Sequence, residues 1–148
     1  MTEITDVMEY IPFASHLGIE MNEAEDGYAE GQLELTSELS SNPGHLIAHG
    51  GVPFALADTV GGAAVVSLNY TVTPTIDMRI DYLNPATTDL VAEAEVIRNG
   101  DSVAVADIDV RDQDGTEIAT VRGVYKTGGH DGESAWTGGD DASSFIEQ

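Results

Sequence analysis

The chain has 148 residues, of which 41% are hydrophobic, enough for one domain with a single core. Its 27 Asp and Glu residues against 5 Lys and Arg give a net charge of −22, which argues against binding to nucleic acid or to anionic membranes. Cysteine is absent, so disulfides, thiolate nucleophiles and thiolate metal sites are excluded.

The acidic excess favours a protein adapted to a cytoplasm of molar salt. At such a salt concentration the Debye length falls to about 3 Å, and neighbouring surface carboxylates repel one another only weakly. An ordinary acidic mesophilic protein is the alternative. The first ten residues, MTEITDVMEY, have no basic start and no long apolar run, so no signal peptide is evident and a cytoplasmic location is expected.

The first third of the chain predicts a helix followed by a hairpin. Residues 4–17 have the pattern of a short amphipathic helix interrupted at Pro12. Two strands are expected next, over 18–25 and 28–36, with a turn at Asp26-Gly27. In the second strand polar and apolar residues alternate with the period of a half-buried strand.

A loop over residues 40–48 leads into the stretch that dominates the sequence, Gly50 to Leu68. It is almost wholly apolar or small and its only charged residue is Asp58, so it predicts one long buried helix. Its central charge, four glycines and Pro53 argue against a membrane span. Free N–H groups at the helix start suit a developing negative charge, and a carboxylate within an apolar helix tends to have a raised pKa. These two features suggest a catalytic site.

The remainder predicts a meander of strands. Residues 75–83 alternate, with Ile76, Met78, Ile80 and Tyr82 on one face and Thr75, Asp77, Arg79 and Asp81 on the other. Further strands are expected over 90–97, 102–111 and 116–126, separated by turns at Asn99-Gly100 and Asp114-Gly115. Consecutive hairpins imply a largely antiparallel sheet, and therefore an α+β domain.

The last segment differs in composition from the rest. Residues 1–127 form the predicted domain, whereas residues 128–148 are rich in Gly, Ser and acidic side chains and predict a flexible tail. Trp136 and Phe145-Ile146 are the only residues of the tail with side chains suited to docking, and a role as bystanders is the favoured alternative.

One long helix wrapped by an antiparallel sheet is the hotdog arrangement, and two segments make that comparison more specific. HGGVPFALADTVGGAA at 49–64 resembles the HGG…D signature of the phenylacetate-pathway (PaaI-type) acyl-CoA thioesterases, and TIDMRIDYLNPA at 75–86 resembles the strand that follows the helix in that family. The resemblance implies a hotdog fold, hydrolysis of an acyl-CoA substrate to a free acid and coenzyme A without a cofactor, and a homodimer or a dimer of dimers.

The resemblance also assigns roles to individual residues. The Gly50 N–H would stabilise the oxyanion, and Asp58 of the partner chain would act as general base or as nucleophile, unless it is a hydrogen-bonded structural carboxylate. His49 would orient the substrate carbonyl or the loop, or simply cap the helix. Asn42 would contact the substrate carbonyl or water, although it lies one residue further from His49 than the commonest family spacing; otherwise it is a turn residue. Thr75 would assist the attacking water or carboxylate, or is an exposed strand residue.

Helix geometry supports a site shared by two chains. His49 and Asp58 are nine residues apart, which on a helix is about 13.5 Å of rise and two and a half turns. One chain therefore cannot easily present the helix start and the carboxylate to the same carbon. Two chains with antiparallel helices, related by a two-fold axis, could do so.

Few cations are available for the phosphates of coenzyme A. Arg98, beside the turn at Asn99 and Gly100, is a candidate phosphate contact, and a lone solvated arginine is the alternative. His45 and His49 are four residues apart, but no third ligand is evident and a metal site is not expected.

Two questions stay open at the level of the sequence. Each glycine of the pair Gly61-Gly62 destabilises the helix by about 1 kcal/mol relative to alanine. The absence of side chains at these two positions would allow the sheet, a partner helix or an acyl chain to approach the helix closely. A non-catalytic acyl-CoA-binding module and a hotdog hydratase are the alternative functions.

Overall fold

The computed structural model describes residues 3–128 and Trp136. Its helices and strands are, in chain order, α1 Ile4–Glu9, α2 Pro12–Leu17, β1 Ile19–Glu25, β2 Tyr28–Leu33, α3 Gly51–Asn69, β3 Thr75–Tyr82, β4 Leu90–Asn99, β5 Val103–Asp112 and β6 Glu117–Lys126, with a short 3-10 turn at Ser37–Leu39. The predicted helix break at Pro12 and the predicted order of strands are confirmed. The flexible tail predicted over 128–148 lies outside the described residues, apart from Gly128 and Trp136.

The six strands form one antiparallel sheet in the order β1-β2-β4-β5-β6-β3. The sheet wraps around α3, as expected for a hotdog fold. The inner faces of β4 and β5 carry small side chains at Ala92, Ala94, Ala104 and Ala106, all fully buried. A sheet surface of alanines lets the helix lie close to it, and larger buried side chains such as Leu56, Leu90 and Ile108 fill the rest of the core.

Helix α3 is buried because the sheet surrounds it. It is long and apolar enough to resemble a membrane span, yet 72% of its apolar 18-residue stretch is buried inside the fold. Its C-terminal end is fixed to two hairpins. The Ser67 hydroxyl accepts a hydrogen bond from the Gly27 N–H at 2.8 Å, and the Asn69 amide donates to the Asn99 side chain at 2.9 Å.

One sequence-based assignment of side-chain faces is wrong in part. Strand β3 contains a β-bulge at Ile76, since Thr75 pairs with Tyr125 whereas Asp77 pairs with Val124. Met78 and Ile80 pack against the core as predicted. Ile76, however, is 55% exposed, and Thr75 lies on the helix-facing side. A bulge inserts one residue and so reverses the alternation on one side of it, which periodicity alone does not reveal.

Candidate active site

The carboxylate of Asp58 lies on α3 and lines an apolar cavity. The Thr75 hydroxyl donates a hydrogen bond of 2.6 Å to its Oδ1 atom. The bulge at Ile76 makes this contact possible, because it places Thr75 opposite Tyr125 on the helix-facing side of the sheet. Two of the sequence-predicted site residues, Asp58 and Thr75, are therefore in direct contact.

The environment of Asp58 acts on its pKa in two opposing ways. Burial raises the pKa above the ordinary carboxyl value, because a low-dielectric surrounding disfavours the charged form. The hydroxyls of Thr75 and Tyr125 act in the other direction, since they stabilise the carboxylate. The net effect is a raised pKa, and a carboxylate with raised basicity suits either a general base or a nucleophile.

Tyr125 is a part of this site that the sequence did not single out. It is only 1% exposed, and its hydroxyl donates a hydrogen bond of 3.2 Å to the backbone carbonyl of Asp58. Burial, followed by the neighbouring charge of Asp58, raises the pKa of the Tyr125 phenol well above its usual value. Two glycines make room for the ring, because a Cβ atom at Gly61 or Gly123 would overlap Tyr125. The sequence feature that could have identified Tyr125 is one large inward-facing residue combined with glycines on the helix and on the strand beside it.

The start of α3 offers a backbone donor. Residue Gly50 precedes the first helical residue, and its own N–H has no hydrogen-bond acceptor within residues 3–128. The Gly51 N–H, by contrast, donates to Nδ1 of His49 at 2.9 Å. His49 therefore caps the helix, one of the two roles predicted for it. This leaves the ring proton of the neutral imidazole on Nε2. The Tyr82 hydroxyl donates to the Gly50 carbonyl at 2.6 Å and so fixes the orientation of that residue.

Asn42 stabilises the loop that precedes the helix. Its side-chain oxygen accepts hydrogen bonds from the N–H groups of Gly44 at 2.7 Å and His45 at 3.2 Å. This is the turn role that the sequence left open as an alternative. The loop is further held by the Ala48 N–H, which donates to the Ala86 carbonyl at 2.8 Å. The His49 N–H donates to the Leu39 carbonyl at 2.9 Å, so backbone contacts to two different segments set the position of the helix start.

The cavity beside Asp58 has a volume of about 480 Å³, within the usual range for small-molecule sites. One wall is α3, where Asp58, Gly62 and Val66 follow one another at four-residue intervals and so share a face. The opposite wall comes from the α1–α2 region, with Met8, Ile11 and Phe13, from Val72 in the segment after α3, and from Trp136 near the C-terminal end of the chain. A larger cavity of about 680 Å³ lies against β1, β2 and β4, but it is lined mostly by polar residues and does not include Asp58.

The proposed phosphate contacts lie elsewhere in the chain. Asn99 is hydrogen-bonded to Asn69 at the C-terminal end of α3, about 16 Å along the helix from Asp58. The Gly100 N–H donates to the Val103 carbonyl at 2.9 Å. Arg98 is exposed, and no carboxylate of the described residues forms an ion pair with it. Within one chain, these three residues are not brought together with the Asp58–Thr75 pair.

Comparison with known proteins agrees with this architecture. The sequence model of the thioesterase superfamily matches residues 45–119, about half of the chain and including α3, β3, β4 and β5. The chain therefore belongs to the thioesterase superfamily, with the hotdog fold. This confirms the expectation that the protein is an enzyme.

Three relatives illustrate the match. A candidate esterase of Halobacterium salinarum is 36% identical over 126 residues, which cover 76% of this chain and 82% of that protein. The acyl-coenzyme A thioesterase PaaI of Escherichia coli is 32% identical over 119 residues, covering 78% of this chain and 83% of PaaI. A solved structure from Shewanella oneidensis, related to the thioesterase superfamily, is 30% identical with a TM-score of 0.76 and covers 84% of this chain and 93% of that one. The predicted resemblance to PaaI-type thioesterases is confirmed.

Proposed function

We propose that the protein hydrolyses an acyl-CoA thioester to a free carboxylic acid and coenzyme A. The observation that carries the proposal is the Asp58 carboxylate, hydrogen-bonded by Thr75 and facing an apolar cavity large enough for an acyl group. The similarity to the acyl-coenzyme A thioesterase PaaI supports the choice of substrate. A carboxylate of raised basicity beside an apolar cavity is suited to thioester hydrolysis, since it can activate water or attack the carbonyl carbon while the cavity holds the acyl group.

The reaction needs a base or nucleophile and an oxyanion donor. As a base, Asp58 takes a proton from water, and the hydroxide adds to the thioester carbonyl carbon. As a nucleophile, its carboxylate adds to the same carbon, coenzyme A leaves, and water hydrolyses the resulting anhydride. In both routes the Gly50 N–H binds the carbonyl oxygen as it becomes negative, and the C–S bond then breaks. The leaving thiolate takes up the proton that Asp58 removed from water in the first route and a proton from solvent in the second. A single turnover in ¹⁸O-labelled water, followed by mass analysis of the peptide that contains Asp58, tests for the anhydride route.

The geometry of one chain supports a site built by two. Gly50 and Asp58 are eight residues apart, about 12 Å along α3, too far to act on one carbonyl group. Strand β3 is an edge strand, and Ile76 and Tyr82 on it are 55% and 53% exposed. An edge strand with exposed apolar side chains is suited to pairing with a second copy. In such a dimer Gly50 of one chain would meet Asp58 of its partner.

A matched pair of substitutions tests the role of the Gly50 N–H. Gly50 has a φ of −53°, which proline tolerates, so Gly50→Pro removes the N–H while the backbone can keep its path. Gly50→Ala keeps the N–H, and its Cβ would lie 3.2 Å from the Tyr82 hydroxyl, which would have to shift by a few tenths of an ångström. We expect Gly50→Pro to lower kcat by about 10²–10³-fold and Gly50→Ala to lower it far less. Equal activity of the two folded variants would contradict the assignment.

Mixing inactive variants tests the shared site. When Gly50→Pro and Asp58→Asn proteins are unfolded and refolded together, half of the dimers contain both chains, and each of these has one intact site. We expect recovery of about a quarter of wild-type activity. Each variant refolded alone is the control. No recovery, with mixed dimers demonstrated by mass spectrometry, would show that each site uses a single chain.

Substrate recognition is proposed to depend mainly on apolar burial. The net charge of −22 repels the phosphates of coenzyme A. In the turn of residues 98–100, the Arg98 side chain is available to contact these phosphates. We assign the protein to a cytoplasm of high salt, where screening weakens that repulsion and also weakens any attraction to Arg98. Affinity then comes chiefly from the pantetheine and acyl parts of the substrate.

A further inference from the structure

The two adjacent glycines of α3 have different surroundings. A Cβ atom at Gly61 would overlap the Tyr125 hydroxyl and lie 3.0 Å from Cδ1 of Ile108. The packing of the core therefore requires glycine at 61. A Cβ atom at Gly62 would have its nearest neighbours at 3.7 Å, in the Tyr125 ring, and at 3.9 Å, at the Met8 methyl group. These are ordinary van der Waals distances, so the fold alone would accept alanine at 62.

Alanine would also stabilise the helix, since glycine is the poorer helix former. Gly62 lines the cavity that contains Asp58, whereas Gly61 does not. A side chain at 62 would occupy the middle of the helix wall, about 6 Å along α3 from Asp58 and about 6 Å before Val66. The effect of glycine at this position is thus to keep the cavity open between its carboxylate end and its far end.

We propose that Gly62 is a specificity-determining residue that allows a straight aliphatic acyl chain of medium length to pass along α3 from Asp58 towards Val66. This inference rests on the proposed thioesterase function. The helix wall from Asp58 to Val66 is about 12 Å long. An extended chain advances roughly 1.3 Å per methylene, given a C–C bond of about 1.5 Å, so the wall matches an acyl group of roughly eight to ten carbons. A four-carbon group ends before it passes Gly62.

The test is a chain-length profile for straight acyl-CoAs from butanoyl to dodecanoyl, measured as kcat/KM for the wild type, Gly62→Ala, Gly62→Val and Gly62→Leu. We expect kcat/KM for decanoyl-CoA to fall in order of side-chain size, and the ratio of decanoyl to butanoyl activity to fall at least about tenfold in Gly62→Leu. Val66→Ala, which enlarges the far end, is expected to shift the optimum towards longer chains. Thermal unfolding of Gly62→Ala is expected at or above the wild-type temperature.

A purely structural role for Gly62 predicts a different result. Gly62→Ala would then unfold at a lower temperature, and activity on all chain lengths would fall by the same factor. That result, or an unchanged chain-length profile in Gly62→Leu, overturns the inference.

A binding measurement separates this inference from the proposed reaction. Calorimetric affinities for butanoyl-CoA and decanoyl-CoA are compared between proteins with glycine and with leucine at position 62, both carrying Asp58→Asn so that the ligand is not hydrolysed during the titration. If the wild type hydrolyses no acyl-CoA but Gly62→Leu selectively loses affinity for decanoyl-CoA, hydrolysis is wrong and the role of Gly62 holds. If neither turnover nor chain-length selectivity of binding is found, both proposals fail.

Discussion

Replacing Asp58 by asparagine should separate activity from stability. Asparagine keeps the size of the side chain and an oxygen that can accept the 2.6 Å hydrogen bond from Thr75, but it can neither accept a proton from water nor attack a carbonyl. We expect kcat to fall by at least about 10²–10⁴-fold. The fold, by contrast, should be retained or strengthened.

The sign of the stability effect follows from the raised pKa of Asp58. A carboxyl group whose pKa is higher in the folded than in the unfolded state stabilises the fold while it is protonated. That contribution is fully present below the unfolded-state pKa and is lost as pH rises through the folded-state pKa. At neutral pH the charged Asp58 is therefore a cost, which asparagine removes. Because the side chain is only partly buried and has a donor in Thr75, the gain is small, about 1 kcal/mol, or about 3–5 °C in Tm for a domain of this size.

The assay is thermal unfolding of both proteins at equal concentration between pH 5 and pH 8, beside thiol release from acyl-CoA in molar KCl. The stability advantage of Asp58→Asn should grow with pH as the wild-type carboxyl ionises. Asp109→Asn, exposed on the outer face of the central strand β5, is the control and should leave activity and the Tm at pH 8 close to the wild-type values. A variant that is inactive but much less stable than the wild type at pH 8 would mean that Asp58 is a structural carboxylate, and near-full activity would remove it from the reaction.

Three further outcomes follow from the same structure. Thr75→Val removes a hydroxyl that stabilises the Asp58 carboxylate and lowers its pKa, so the acid limb of the kcat/KM profile should move to higher pH, whereas Thr75→Ser should leave it in place. Tyr125→Phe should shift that limb in the same direction, because the Tyr125 hydroxyl also lowers the pKa of Asp58; an unshifted profile in a folded variant would show that the phenol does not act on the carboxylate. Raising KCl from about 0.2 M to about 2 M should increase Tm by several degrees, because screening the repulsion within a chain of net charge −22 outweighs the loss of exposed ion pairs such as Arg122–Asp107; a Tm that falls with KCl would contradict adaptation to high salt.

The central helix and the antiparallel sheet were largely predictable because the hydrophobic patterns that indicate them are strong. The apolar run around Asp58 and the alternation in the later strands specified a central helix and an antiparallel sheet. Local departures from regularity were not predictable. The bulge at Ile76 leaves no mark on the polar–apolar pattern, and for that reason the orientation of Thr75 could be taken only from family resemblance. Tyr125 was missed because its role depends on space left by Gly61, a residue 64 positions earlier in the chain.

The loop before α3 shows another limit. For His49 and Asn42 the sequence offered a functional and a structural reading of each residue, and the structure shows the structural contacts in both cases. The Asn42 oxygen and the His49 Nδ1 atom each accept a hydrogen bond from the N–H of a glycine two residues further along the chain, a local contact that forms whether or not a substrate is nearby. Their contribution to catalysis therefore stays a prediction, to be measured in variants whose loop is shown to be intact.

The bulge in β3 has a consequence for how the protein can change over time. The extra residue turns the start of the strand inwards, while the following residues keep the ordinary alternation along an unpaired edge. Substitutions on the outer side of the edge can accumulate without rotating Thr75. Deletion of Ile76 would remove the bulge and leave Thr75 opposite Tyr125, still facing the helix. Closing the bulge while residue 76 is kept would instead turn the hydroxyl away from the carboxylate, so the length of this strand and the bulge have to change together.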